Sequence, residues 1–237
     1  MSRPSLLSLT TQVLRDPAAV VRTATPADLA WLAPRLLLLS GVGAALLGGV
    51  VGGYRGGPQV LYAALKLPLL LWIPPLVALP AVHALWRACE VDVSYRRLAL
   101  AVLTGMARAG VLASAAAPVL WLPYSVELDY HLSVVLLAGM LVLVGLPGLT
   151  AIAAAIPAGG VRRWMAGGAS MVLLGLLFAQ TGWLLRPFVA RPTTAVALFR
   201  PVESDVFSAL GTSTFSSLGL YGSWEADRSG LLSREGE

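Results

Sequence analysis

Five blocks of roughly 20 mostly apolar residues, each closed by a short connector, set what this chain can fold into. They run at about Leu36–Gly53, Val60–Trp86, Leu98–Leu122, Leu132–Ile156 and Met165–Leu185. A helix of about 20 apolar residues spans a hydrocarbon core about 30 Å thick. Inside lipid only structures that satisfy their own backbone hydrogen bonds persist. The blocks therefore predict an all-α, polytopic helical bundle of about five spans. Composition agrees: 57% of the 237 residues are apolar and 12% charged, about half the charge of a soluble domain.

The second block carries the most unusual chemistry. It holds Lys66, the sole lysine, and four prolines at 68, 74, 75 and 80. Proline in a helix removes a hydrogen bond and crowds the preceding turn, so this block reads as a broken helix at membrane depth. A charge at bilayer centre costs about 2.5–3.5 kcal/mol on insertion scales. Lys66 then contacts a substrate or lipid headgroup, locks an ion pair, or snorkels to the outer interface on its four-carbon stem. Arg108, near the middle of the third block, is harder to snorkel. With no carboxylate in any span, its partners are carbonyls, Gln180, Ser114, a lipid phosphate or water, in a structural or a functional role. The same absence argues against a proton relay built on intramembrane Asp or Glu.

Segment 1–35 precedes the first span. Leu6, Leu9 and Val13 recur at helical spacing up to Arg15, consistent with a short amphipathic, interfacial helix. Pro17 interrupts that pattern. Thr25 and Pro26 read as N-cap and first position of another short helix, Ala27–Leu32, with Trp31 at headgroup level. A cleavable signal peptide is not expected, because Arg15, Asp16 and Arg22 fall where its apolar region would lie. In the first span Gly48 and Gly52, and again Gly49 and Gly53, are four apart. Such spacing either admits a close helix neighbour or reflects tolerance of glycine in lipid. Pro147 predicts a kink in the fourth span.

The 17 Lys and Arg residues against 12 Asp and Glu give a net charge of +5. They collect in alternate connectors, not in a nucleic-acid-binding stripe. Arg3, Arg15, Arg22 and Arg35 precede the first span, Arg87, Arg96 and Arg97 follow the second, and Arg162 and Arg163 follow the fourth. The first connector has Arg55 and the third has none, only Glu127 and Asp129. The positive-inside rule then places the N-terminus in the cytoplasm and, with five spans, the C-terminal tail outside. Were the tail to re-enter, it would face the cytoplasm. The arginine-over-lysine bias fits a GC-rich bacterial genome, and the expected location is the bacterial inner membrane.

Catalytic and metal motifs are absent, and no cofactor is expected. Cys89 is the sole cysteine, which excludes an intrachain disulfide. His83 and His131 fall near opposite membrane faces and do not share a metal. His83 reads as an interfacial polar residue.

Three segments together carry a resemblance. They are Lys66-Leu67-Pro68-Leu69-Leu70 continuing to Leu79-Pro80, Ser114 to Pro118, and Gln180-Thr181-Gly182-Trp183-Leu184-Leu185-Arg186-Pro187-Phe188-Val189, followed by Arg191-Pro192 and Phe199-Arg200. The chain, over about Gln59 to Leu210, resembles an uncharacterised bacterial multi-pass family with KxPLL and W-x-LRPF-V segments, similar in layout to Yip1-type five-span proteins. Ala190 and Ser204-Asp205-Val206-Phe207 depart from the family pattern. The resemblance implies architecture and carries no activity. On the residues themselves, Arg186, Arg191 and Arg200 with Phe188 and Phe199 either sit at headgroup phosphates or fold back to cap the bundle, Arg186 meeting Glu127 or Asp129.

The domain reading is an interfacial segment 1–35, a five-span domain 36–186, a C-terminal segment 187–210 that caps the bundle, and a disordered tail 211–237. The functional expectation is a non-enzymatic membrane scaffold or accessory subunit with the lipid bilayer, a membrane-protein partner or a second copy as its contacts. The alternative is a small permease or channel-like subunit handling an anion or lipid headgroup through Lys66 and Arg108. Binding candidates are Lys66, Arg108, Gln180 and Arg186.

Overall fold

The computed structural model describes residues 5–25, 28–126, 130–154, 160–186 and 188–189. Its contacts divide the chain into a unit Met1–Arg200 and a second, Pro201–Glu237, which lies outside the described residues. Among the described residues every regular element is a helix: α1 Leu6–Arg15, α2 Pro17–Thr23, α3 Leu29–Gly53, α4 Pro58–Ala88, α5 Tyr95–Tyr124, α6 Tyr130–Ala154 and α7 Val161–Leu185. The five from α3 onward are long and apolar enough to cross a membrane.

Local chemistry sets the ends. Gly57 takes φ +59° and Pro58 opens α4 as its first residue, where a missing N–H costs nothing. At the far end the Val91 N–H bonds to the Trp86 carbonyl and the Glu90 N–H to that of Arg87. This is a Schellman closure, with Glu90 at φ +57° where glycine is usual. Ser94 then caps α5, its side chain accepting from the Arg97 N–H.

Three sequence expectations are corrected. Helix α4 is continuous through Pro68, Pro74, Pro75 and Pro80 and is not broken; three of these rings are buried against neighbours, the setting in which freed carbonyls are tolerated at depth. Span one begins at Leu29, through Pro34, so no separate helix 27–32 precedes it. Pro17 does not merely interrupt: Asp16 accepts from the Ala19 N–H at 2.9 Å and Pro17 starts α2. Helix α6 runs through Pro147.

The spans pack in the order α6, α5, α3, α4, α7, with α4 also touching α5. Glycine sets the closest approaches. A β-carbon on Gly48 would overlap the Ala63 backbone of α4, and one on Gly52 would overlap Gln59. Gly49 and Gly53 face open space. One glycine pair is thus the helix contact and the other is tolerance. Gly105 and Gly148 seat α6 on α5. Near the start of α5, helices α1 and α2 pack over it, burying Leu9, Val13, Val20 and Val21.

Candidate functional site

The polar side chains buried between these helices are few, so each is informative. Ser40 of α3, Gln59 and Lys66 of α4, Thr104 of α5, Ser133 of α6 and Ser170 of α7 are all buried. Two of the serines meet tryptophans of α4. Trp72 Nε1 donates to Ser40 Oγ at 2.9 Å, and Trp86 Nε1 to Ser170 Oγ at 3.0 Å. Each serine hydroxyl donates in turn to a carbonyl of its own helix, that of Leu37 or Ala166. Tyr124 of α5 donates to the Ser133 carbonyl of α6 at 2.8 Å. One polar clasp thus ties α4 to each of α3 and α7, and another ties α5 to α6.

Lys66 is 1% exposed. The snorkelling reading is therefore corrected: the ammonium does not reach the surface. It shares the inward face of α4 with Gln59, Ala63 and Leu70, residues a turn or two apart on one side of the helix. Gln59 Nε2 donates to the Phe188 carbonyl at 2.7 Å, and Val189 is buried with Leu67, Leu70 and Leu185. The chain leaving α7 thus turns back onto the start of α4. Position 187 and residues 190–237, where the rest of the capping segment and the disordered tail were expected, lie outside the described residues.

Arg108 occupies the middle of α5, on a stripe continued by Val111, Ala115, Val119 and Leu122 that becomes progressively exposed. One turn earlier Thr104 is buried, bonded to the Leu100 carbonyl. The Nε of Arg108 is buried without a hydrogen-bond partner. Gln180 is half-buried on α7. Arg186 lies over the Trp183 ring, 3.5 Å from its centroid; Glu127 and Asp129, its expected partners, lie outside the described residues. Lys66 is thus buried on the inward face of α4, whereas Arg108 is half-exposed on α5.

An apolar cavity of about 300 Å³ lies between α4, α5, α6 and α7, bounded by Leu79, Val82, Val102 and Leu174 with Arg163 and Trp164 at one end. Neither Lys66 nor Arg108 lines it. His83 pairs with the Val93 carbonyl at 3.1 Å and packs edge-on to Tyr95. Among the described residues no three His, Cys, Asp or Glu side chains cluster as metal ligands.

The buried clasps were not foreseen from sequence. The one signal available was tryptophan at Trp72, well inside a span and away from the headgroup level that usually holds this residue. Compared with known proteins, the chain matches no family model, no curated protein and no solved structure.

Proposed function

We propose that this chain is a non-enzymatic scaffold or accessory subunit of a bacterial inner membrane, with its N-terminus in the cytoplasm and a membrane-protein partner or a second copy as its client. The observation that carries this reading is the burial of Lys66. The one lysine of the spans is 1% exposed and does not line the cavity between α4 and α7. A path for an anion or headgroup would need that charge at a wet surface. The Ser40, Thr104 and Ser170 hydroxyls donate to carbonyls of their own helices, and His83 meets a backbone oxygen. That pattern supports a structural role over nucleophilic catalysis, which needs a nucleophile paired with a base.

Orientation rests on charge. Arg15, Arg22, Arg35, Arg87, Arg96, Arg97, Arg162 and Arg163 gather at the end where α3, α5 and α7 begin, against Arg55 and Arg186 at the other. Five spans are also the layout that the resemblance to Yip1-type proteins implies.

The test is thiol accessibility of Lys66→Cys in a Cys89→Ser background, with membrane-impermeant reagents applied from each side. The expected result is no labelling of the folded protein, beside full labelling of Ser125→Cys. Labelling at position 66 from water would replace the scaffold with the permease reading.

A further inference from the structure

Helices α6 and α7 follow one another in sequence, yet they share no packed face among the described residues: α6 lies on α5 and α7 on α4. The space between them is the cavity described above, and its shape is specific. On α4 it runs from Pro75 to Trp86, which at 1.5 Å per residue is about 16 Å, close to half of a hydrocarbon core about 30 Å thick. Its length is that of one leaflet. An acyl chain of one leaflet has that length, and the walls of the roughly 300 Å³ space are almost wholly apolar.

Charge marks one end. Arg163 gives one N–H to the Ala153 carbonyl at 3.0 Å, and its guanidinium has five donors. Its neighbours are neutralised, Arg162 by Glu90 and Arg87 by Asp92. Among the described residues no carboxylate reaches Arg163. Trp164 beside it is 82% exposed, as a tryptophan at headgroup level is. Basic pockets between spans recognise anionic lipid headgroups.

We propose that the α6–α7 cleft binds one anionic glycerophospholipid of the leaflet at the arginine-rich end. One acyl chain lies along Leu79, Val82 and Leu174, and the phosphate is held by Arg163. This site goes beyond the scaffold reading and does not depend on Lys66. Gly168 lines the cleft, and a β-carbon added there meets nothing within 4 Å, so the backbone admits a side chain at this position to compete with the lipid.

The full chain is reconstituted in phosphatidylcholine vesicles containing phosphatidylglycerol, extracted in mild detergent, and read by native mass spectrometry. Wild type is expected to retain one phosphatidylglycerol per chain. Gly168→Leu should abolish retention of either lipid. Arg163→Gln should lower phosphatidylglycerol retention roughly tenfold, as loss of a charge-assisted bond does, and lower phosphatidylcholine retention less, because its choline already neutralises the phosphate. Arg162→Gln, whose partner is Glu90, should change neither. No retained lipid in wild type overturns the proposal. So does equal retention by wild type and Gly168→Leu, which would describe the general lipid belt. A lipid-free dimer that Gly168→Leu dissociates would assign the cleft to a second copy instead. Thermal unfolding of each variant, matched to wild type, verifies that the comparison is between folded proteins.

Discussion

Gly43 of α3 and Gly110 of α5 bring two helix backbones into direct contact. A β-carbon on Gly43 would overlap the Gly110 carbonyl, and one on Gly110 would overlap the Ser40 backbone. In lipid no hydrophobic force draws helices together, so close packing of this kind carries much of the association. Gly43→Leu and Gly110→Leu should each destabilise the bundle by about 1–3 kcal/mol or more, the range for overpacking. Gly49→Ala, which faces open space, should be neutral or slightly stabilising, because glycine costs a helix about 0.5–1 kcal/mol. Thermal unfolding in detergent reads all three. Equal effects at positions 43 and 49 would contradict the packing described here.

The Trp86–Ser170 clasp joins α4 to α7 at the arginine-rich end. Hydrogen bonds between membrane helices are worth about 0.6 kcal/mol on average, with larger values near 1.7. A double-mutant cycle on Trp86→Phe and Ser170→Ala should give a coupling of about 0.5–1.5 kcal/mol. Additive single effects would mean that the clasp contributes packing and no bond energy.

Glu90 closes α4 in the left-handed region at φ +57°, a conformation that costs a non-glycine residue roughly 1–2 kcal/mol. Its ion pair with Arg162 is largely exposed, and such pairs are worth about 0–1 kcal/mol. Backbone strain outweighs the pair, so Glu90→Gly should raise the unfolding temperature in detergent, and Glu90→Ala should not. A lower temperature for Glu90→Gly would show that the ion pair holds the connector.

Residue type and run length made the five spans legible, because lipid imposes the same demand on each of them. Proline was read too locally. Pro68, Pro74 and Pro75 looked like breaks, but burial against neighbouring helices keeps α4 continuous. Asp16-Pro17 was a helix start that could have been recognised, since both its cap and its first residue are favourable. The glycine pairs were legible as a spacing but not as a choice: nothing in sequence says that Gly48 and Gly52 face α4 while Gly49 and Gly53 do not. The fate of Lys66 was set by tertiary packing, since the same sequence permits snorkelling and burial alike. The cleft between α6 and α7 depends on two sequence neighbours packing on different partners, which no local pattern encodes.

Arg108 places a buried Nε in mid-span without a hydrogen-bond partner. An unsatisfied buried donor costs about 1–3 kcal/mol. Arg108→Met keeps an unbranched apolar stem and removes that donor. It should insert normally and unfold at a higher temperature than wild type. Such a gain would mark the arginine as retained for a contact outside this chain, a phosphate or a partner carboxylate. A variant that fails to fold would instead make the guanidinium a structural element of α5.

Orientation can be read from two exposed connectors. Asp92 lies between α4 and α5, at the end that gathers Arg87, Arg96 and Arg97, and Ser125 follows α5 at the opposite end. If positive charge fixes the threading, then in a Cys89→Ser background Ser125→Cys should react with an impermeant maleimide on intact cells. Asp92→Cys should react only after the membrane is opened. The two sites are separated by the whole of α5, 30 residues and about 45 Å at helical rise, so they lie on opposite sides of any bilayer that this helix crosses. Reversed labelling would put the arginine-rich end outside. It would also move the proposed lipid cleft to the outer leaflet without altering the packing that forms it.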